Sequence, residues 1–369
     1  MKIGCVKEIK AQEYRVGLVP MHVKSYLQAG HTVLIETQAG SGSGFSDDDY
    51  KNAGALIVEK ASDVWAKSDM IVKVKEPLEA EYPLMKEGLI LYTYLHLAAN
   101  EKLTLELMKR KVTGIAYETI EVNGALPLLK PMSEVAGRLS VQEAAKYLEK
   151  PFGGRGVLLG GVPGVTKGYV VIVGGGTVGT NAAIMALGMG ARVSILDTNL
   201  IRLEELDQLF EGKIQTLYST PAILHEELTK ADAVIGAVLI PGAKAPHLIK
   251  REDLKLMKKG AVMVDVAVDQ GGCFETTHPT THNNPTFEVD GIVHYCVANM
   301  PGAVPYTSTL ALTNATLKFA LLLANNTLEG AIAKNKAVLS GINTFNGKCT
   351  NQFVAEAFNM TYTPFEQAH

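Results

Sequence analysis

Cysteine is scarce in this chain. Four stand in 369 residues, at Cys5, Cys273, Cys296 and Cys349, far apart and with no C-x-x-C spacing. That usage argues against a disulfide-built scaffold and for free thiols in a reducing cytoplasm. No uninterrupted apolar run approaches the roughly 18 residues that a membrane span needs. The opening MKIGCVKEIK reads as a strand, not as the apolar core of a signal segment. An excess of either charge is missing too: 35 basic residues against 38 acidic ones leave a formal net charge of −3. With no basic stripe to neutralise phosphates, the composition points away from nucleic acid and from a membrane surface as partners. The short run Asp47-Asp48-Asp49 reads as a helix start and not as an acidic tail. Solenoid repeats and low-complexity tracts are absent as well.

What is there is apolar surface in quantity, 47% of the residues, in a chain too long for one ordinary core. The pattern alternates. KIGCVK, TVLIET, DMIVKVKEP, LILYTYLH and VTGIAYETI read as strands, separated by helix-like stretches such as VPMHVKSYLQAGH and NEKLTLELMKRK. A second series of the same kind follows residue 150, with YVVIV, ARVSILD, KIQTLYS, ADAVIGAVL, GAVMVDVAVD and GIVHYCVANM. Repeated βα units predict parallel sheets covered by helices on both faces. Residues 132–150 read as a long connecting helix that Ser133 could cap. After residue 305 the pattern is helical again. The expected fold is α/β, with two Rossmann-like doubly wound parallel-sheet domains and a cleft between them. Residues 1–130 with 306–369 would form a discontinuous substrate domain, and 131–305 an inserted dinucleotide-binding domain.

Gly174, Gly176 and Gly179 fit G-x-G-x-x-G between an apolar strand and an alanine-rich helix. A second strand ends in Asp197 about 18 residues later. The first glycine permits a tight turn, the second lets backbone approach a pyrophosphate at the helix N-terminus, and the third allows close helix–sheet packing. A carboxylate at Asp197 accepts hydrogen bonds from a ribose 2′-hydroxyl and repels a 2′-phosphate, which favours NAD. Arg202 could in principle favour NADP; otherwise it is a solvent-facing helix residue.

Ligands of open parallel sheets bind beyond the carboxyl ends of the strands. Arg15 follows the first strand of the first series, and Lys75 and His96 are expected to close two others. Arg15 suits a small carboxylate by a bidentate fork and Lys75 by point charge, while His96 suits acid–base work near neutral pH. Tyr94 shares the parity of His96 and could support it; Lys73 lies deeper and is a poorer candidate. In the second series Asp269 would end a strand beside the nicotinamide. Asp265, further inside, reads as a buried, hydrogen-bonded carboxylate. Asn299 could contact nicotinamide or substrate. Cys273, His278 and His282 have a faintly zinc-like spacing, but a Pro- and Asn-containing loop with an uncertain fourth ligand argues for no metal.

KEIKAQEYRVGLVP, VKVKEP, LYTYLHLAAN, LLKPMSEVAGRLSVQ, GGVPGV, VVIVGGGTVG, VDVAVDQGGCFETT, CVANMPGAVPYTST and ALTNAT together resemble the bacterial L-alanine dehydrogenases, from Lys2 to about residue 330. The resemblance implies reversible NAD-linked oxidative deamination of L-alanine to pyruvate and ammonium. It implies that Arg15 and Lys75 hold the substrate carboxylate, that His96 is the acid–base group and that Asp269 is an active-site carboxylate. It carries cofactor contacts over to Ser133, Thr177, Val178, Asp197, Arg202, Ser219, Val238, Leu239, Val266, Ala267, Val268, Asp269, Val297, Ala298, Asn299 and Met300. An arginine found in some members is replaced here by His278. The resemblance also implies a homohexamer. Two rivals remain: the soluble NAD(H)-binding component of proton-translocating transhydrogenase, which has no use for an acid–base group at His96, and a non-catalytic NAD-binding regulator, which could lose Arg15, Lys75 and His96 freely.

Overall fold

The structure, a computed structural model, describes residues 1–238 and 246–368. It divides into two compact units, Met1–Met132 with Val304–His369, and Ser133–Ala303.

The first unit is built on an eight-stranded sheet. From one edge the order is Lys348–Cys349, Ile342–Phe345, Thr113–Ala116, Ile90–Thr93, Met70–Val72, Lys2–Cys5, Thr32–Glu36 and Leu56–Val58. The first six strands in chain order are mutually parallel. The last two, from the C-terminal segment, extend the edge antiparallel. Met70–Val72 is buried throughout, as the apolar composition of a sheet covered on both faces requires. The chain begins mid-sheet, runs to one edge, returns and continues to the other. The order therefore reverses between Lys2–Cys5 and Met70–Val72, and such a reversal opens a crevice at the strands' carboxyl ends.

The helix Pro305–Ala324 belongs to this unit. Its length and composition would let it cross a membrane, but half of the apolar window is buried inside the fold. Leu312, Phe319, Ala320 and Leu323 are all buried there. The helix is also tied in by polar contacts. Tyr92 Oη donates to Thr316 O at 3.1 Å, and the Val16 amide donates to Thr309 Oγ1 at 3.2 Å.

Among the described residues the second unit carries seven strands, ordered Thr286–Val289, Ile292–Tyr295, Val262–Asp265, Ala233–Gly236, Tyr169–Val173, Arg192–Asp197 and Gln215–Tyr218. Six are parallel, and Thr286–Val289 adds an antiparallel edge. The order again reverses beside the first strand, here between Tyr169–Val173 and Ala233–Gly236. Both units are thus doubly wound α/β sheets of Rossmann type.

Several expected boundaries move. The strands expected to reach Lys75 and His96 end at Val72 and Thr93. Past Val72, the amides of Val74 and Lys75 turn to the Glu8 carboxylate, at 2.6 and 3.2 Å. The strand expected to end at Asp269 ends at Asp265, and Asp269 lies in a short 3-10 turn, Val268–Gln270. Ser133 does not cap its helix: the helix runs Lys130–Tyr147, so Ser133 is an internal residue, and Pro131 suits the first turn.

Candidate active site

In the first unit, the two loops that leave the reversal point are tied together by buried charge. Lys73 is fully buried and meets Glu8 at 3.1 Å and Glu81 at 2.8 Å. Burial opposes its charge, but the two carboxylates outweigh burial and hold the ammonium above the ordinary lysine range. Lys73 is therefore a structural cation. Removing one partner of such a buried cluster would strand charge in a low dielectric.

Arg15 is also buried, at 2% exposure, with its Nε and Nη2 on the Glu13 carboxylate at 2.7 and 2.6 Å. Its Nη1 donates to Met132 Sδ at 3.1 Å. The Nε–Nη2 side of the guanidinium is thus already taken by a carboxylate from within the chain. Lys75 is different. It is partly buried, and among the described residues its ammonium forms no ion pair. Burial, and then the neighbouring Arg15 charge, push its pKa below the ordinary lysine value. An ammonium with no ion pair among the described residues, partly desolvated beside a guanidinium, can attract a small anion.

His96 lies just beyond Thr93 in a left-handed conformation, φ 50° and ψ 37°. Its amide donates to Glu118 Oε1 at 2.6 Å, and its ring stacks on Tyr94 with centroids 5.9 Å apart and an interplanar angle of 11°. Tyr94 is itself fixed, since its hydroxyl donates to Leu128 O at 2.6 Å. The imidazole is exposed. It shares its electrostatic surroundings with Glu76, which also feels Lys75 and is paired with Lys10 at 2.5 Å. Arg15, Lys75 and His96 are thus linked through Tyr94 and Glu76 at one end of one sheet.

In the second unit the glycine turn follows Tyr169–Val173. Gly174 has φ 105°, a conformation open to glycine, and a Cβ there would lie 2.8 Å from Ala237 O. A Cβ on Gly179 would lie 1.9 Å from Gly174 O, so the helix Thr177–Gly188 sits directly on the turn. Among the described residues, nothing lies within 4 Å of a Cβ on Gly176, and no side chain caps that helix. An open approach to an uncapped helix N-terminus fits a pyrophosphate. Asp197 closes its strand, with Oδ2 accepting the Gly175 amide at 2.7 Å and Oδ1 the Asn199 amide at 2.9 Å. Ser219 follows the next strand, its amide donating to Asp197 O at 2.9 Å. These residues fit a dinucleotide with a free ribose 2′-hydroxyl.

Arg202 is not a solvent-facing helix residue. Its Nε donates to Gly175 O at 2.7 Å and its Nη2 to Thr180 Oγ1 at 2.7 Å, while Nη1 meets Glu205. It braces the glycine turn. Ser133 lies one turn before Gly137, where a Cβ would come within 2.2 Å of Val178 O. Both face the start of the Thr177–Gly188 helix by i, i+4 spacing. Val238 follows the strand Ala233–Gly236, with its carbonyl 3.6 Å from Cys273 Sγ. Leu239 lies outside the described residues.

Asp265 explains the shape of the segment after it. Its carboxylate accepts the amides of Ala267, Cys273 and Phe274 at 3.1, 2.8 and 3.3 Å, and the Thr277 hydroxyl at 2.5 Å. That network turns Val266–Asp269 out of the sheet and leaves Asp269 exposed. The segment Val297–Met300 is pinned by the Thr280 bridge, and Asn299 has φ 64°. Cys273 is buried with its thiol pushed up to about 12 by burial, His278 stacks on Phe287 at 3.7 Å, and His282 contacts Asn299 O at 3.3 Å. Those side chains are directed to other partners.

Sequence reasoning missed Glu8, Glu13, Glu81 and Glu118. The signal was indirect: a cation buried at a strand end requires a carboxylate, and EIKAQE supplies two beside Arg15.

Residues 4–136 match the family model described as alanine dehydrogenase/PNT, N-terminal domain, and residues 140–352 the one described as its C-terminal domain. Alanine dehydrogenase 2 of Staphylococcus aureus (strain USA300) is 58% identical over 370 residues, covering 100% of this chain and 99% of that protein. A solved L-alanine dehydrogenase matches with a TM-score of 0.95 at 54% identity, over 97% of this chain and 99% of its own. The transhydrogenase from Sinorhizobium meliloti matches at 0.83 and 25% identity, over 95% and 99%.

Proposed function

The chain belongs to the alanine dehydrogenase/PNT family, and from that premise we infer that it is an NAD-linked L-alanine dehydrogenase. It catalyses the reversible oxidative deamination of L-alanine to pyruvate and ammonium. The observation that supports this most is the Lys75 ammonium, without an ion pair among the described residues, sharing one sheet end with Arg15 and an exposed His96.

The unit Met1–Met132 with Val304–His369 holds the substrate, and Ser133–Ala303 holds NAD. Lys75 and Arg15 bind the substrate carboxylate, which fixes the orientation of the Cα hydrogen. Bound NAD supplies the hydride acceptor. The glycine turn with Thr177 and Val178 would hold its pyrophosphate, and Asp197 its adenosine ribose. Arg202 braces that turn. Ser133, Ser219, Val238, Val266 to Asp269 and Val297 to Met300 provide the remaining contacts. Loss of hydride leaves an imine, which water must attack. His96 takes the proton from that water and returns one to the departing amine, and Asp269 is an active-site carboxylate. Fixing the substrate by two cations supplies acceleration through proximity and orientation.

Four unpaired, buried thiols support a reducing, cytoplasmic setting. We extend the homohexamer of the family resemblance to this chain, and light scattering on the purified protein tests it.

The deciding assay supplies NAD and a panel of amino acids and follows NADH. L-Alanine should give NADH with stoichiometric pyruvate. Tight NAD binding with no amino-acid-dependent NADH would overturn this reading and favour the transhydrogenase component.

A further inference from the structure

Lys75 stands three residues past the end of the strand Met70–Val72, where the sheet no longer supplies partners for its amides. Its ammonium has no ion pair among the described residues, so its placement depends on its backbone. That backbone is held by a carboxylate. Glu8 Oε1 accepts the Val74 amide at 2.6 Å and the Lys75 amide at 3.2 Å. The Lys75 carbonyl in turn accepts Thr93 Oγ1 at 3.0 Å.

Glu8 comes from the segment that leaves Lys2–Cys5, the strand paired with Met70–Val72. It therefore reaches across the point where the strand order reverses. Its other oxygen lies 3.1 Å from Lys73 Nζ, and both side chains are buried, at 2% and 0% exposure. Lys73 also meets Glu81 Oε1 at 2.8 Å, and Glu81 Oε2 accepts the Leu78 amide at 2.9 Å. Both carboxylates serve the buried cation. Glu8 is the one of the two that also holds the backbone of Lys75.

We propose that Glu8 is a positioning residue for the substrate carboxylate: it fixes the Val74–Lys75 backbone and so aims the Lys75 ammonium, while Lys73 anchors its second oxygen. This rests on the alanine dehydrogenase reading.

Glu8→Met and Glu81→Met each take one carboxylate from Lys73, and both should lower the melting temperature. Positioning separates them. Glu8→Met should raise the pyruvate KM about tenfold or more, the range for weakening a charge-assisted contact, with the KM for NADH little changed. Glu81→Met should raise the pyruvate KM by less than about threefold. In a Lys75→Met background Glu8→Met should have no further effect on that KM, because it acts through Lys75. Equal effects of Glu8→Met in both backgrounds, or equal KM effects of the two carboxylate variants, would overturn the proposal. Should Glu8→Met not fold, Glu8→Asp keeps the charge and shortens the reach. It must raise the pyruvate KM in the wild-type background and not in Lys75→Met, and an unchanged KM sinks the proposal. A wild-type protein that makes NADH from L-alanine while Glu8 variants keep its pyruvate KM overturns this inference alone. A wild-type protein that makes none overturns the functional reading, and this inference with it.

Discussion

Glu118 holds His96 by its backbone and not by its ring: Oε1 accepts the His96 amide at 2.6 Å but lies 3.9 Å from Nδ1. The same carboxylate accepts the Leu95 amide, at 3.1 and 3.3 Å from its two oxygens. Two successive amides converging on one carboxylate stabilise the left-handed turn at His96, a conformation costing about 1 kcal/mol or more for a residue with a Cβ. Glu118→Ala should therefore lower kcat by about tenfold, as the imidazole loses its fixed direction. NAD affinity should be kept. Steady-state kinetics with a binding titration measure both, and an unaltered kcat would mean the turn holds without Glu118.

His96 itself is exposed on one side and stacked on Tyr94 on the other. Its side chain is not part of the buried core. His96→Ala should leave folding and NAD binding nearly intact and reduce alanine turnover by roughly a hundredfold or more, the range for general acid–base groups. Near-normal turnover would return the residue to a structural role.

Lys75 predicts a pH dependence in binding. Burial first, and Arg15 second, lower its pKa. The ammonium is present below that pKa and lost above it, so carboxylate affinity should fall on the alkaline side, at a pH below the ordinary lysine range. Pyruvate is the right probe because it has no group of its own titrating there. Its competitive inhibition constant, measured across the alkaline range, should rise in wild type. In Lys75→Met it should be high and flat throughout. A flat profile in wild type would assign the attraction to another group.

How much of this was legible in the sequence follows from the physics of each element. The doubly wound fold was legible because buried parallel strands are near-continuous apolar runs, and the glycine turn because Gly174 and Gly179 meet steric limits that admit no other residue. Arg15, Lys75 and His96 could be placed at one sheet edge by counting strands. Their partners could not. Glu13 pairs with Arg15 through a local turn, and Glu8 reaches Val74 across the sheet, a contact 66 residues away in the chain. Periodicity does not encode such pairs. Asp265 and Asp269 look alike in VDVAVDQ, and only the amides of Ala267, Cys273 and Phe274 show which one ends the strand.

Asp197 and Arg202 make opposite predictions for cofactor choice. Asp197 closes its strand where the adenosine ribose is expected, so Asp197→Ala removes the repulsion of a 2′-phosphate. It also frees the Gly175 amide. The NAD-to-NADP ratio of kcat/KM should fall at least about tenfold, with some loss for NAD itself. Arg202 spends its donors on Gly175 O, Thr180 Oγ1 and Glu205. Arg202→Ala should therefore weaken both cofactors by similar factors and leave the ratio unchanged. A selective loss of NADP in that variant would show that the guanidinium reads the phosphate.

Gly179 and Gly188 lie in one helix and separate space from propensity. A Cβ on Gly179 would sit 1.9 Å from Gly174 O, 3.0 Å from Gly174 C and 3.2 Å from Ile172 Cγ2. The first two atoms are backbone of the strained turn and cannot rotate away. Relief requires the helix to lift from the turn, which also widens the approach to its N-terminus. Gly179→Ala should cost about 2–4 kcal/mol in urea unfolding and abolish measurable NAD binding. Among the described residues nothing lies within 4 Å of where a Cβ on Gly188 would stand, and its backbone is not left-handed. Gly188→Ala should therefore stabilise by about 0.5–1 kcal/mol through the unfolded chain. Should both variants unfold at the same urea concentration as wild type, the close contact between the helix and the turn would be wrong. The dinucleotide assignment would then lose its steric basis.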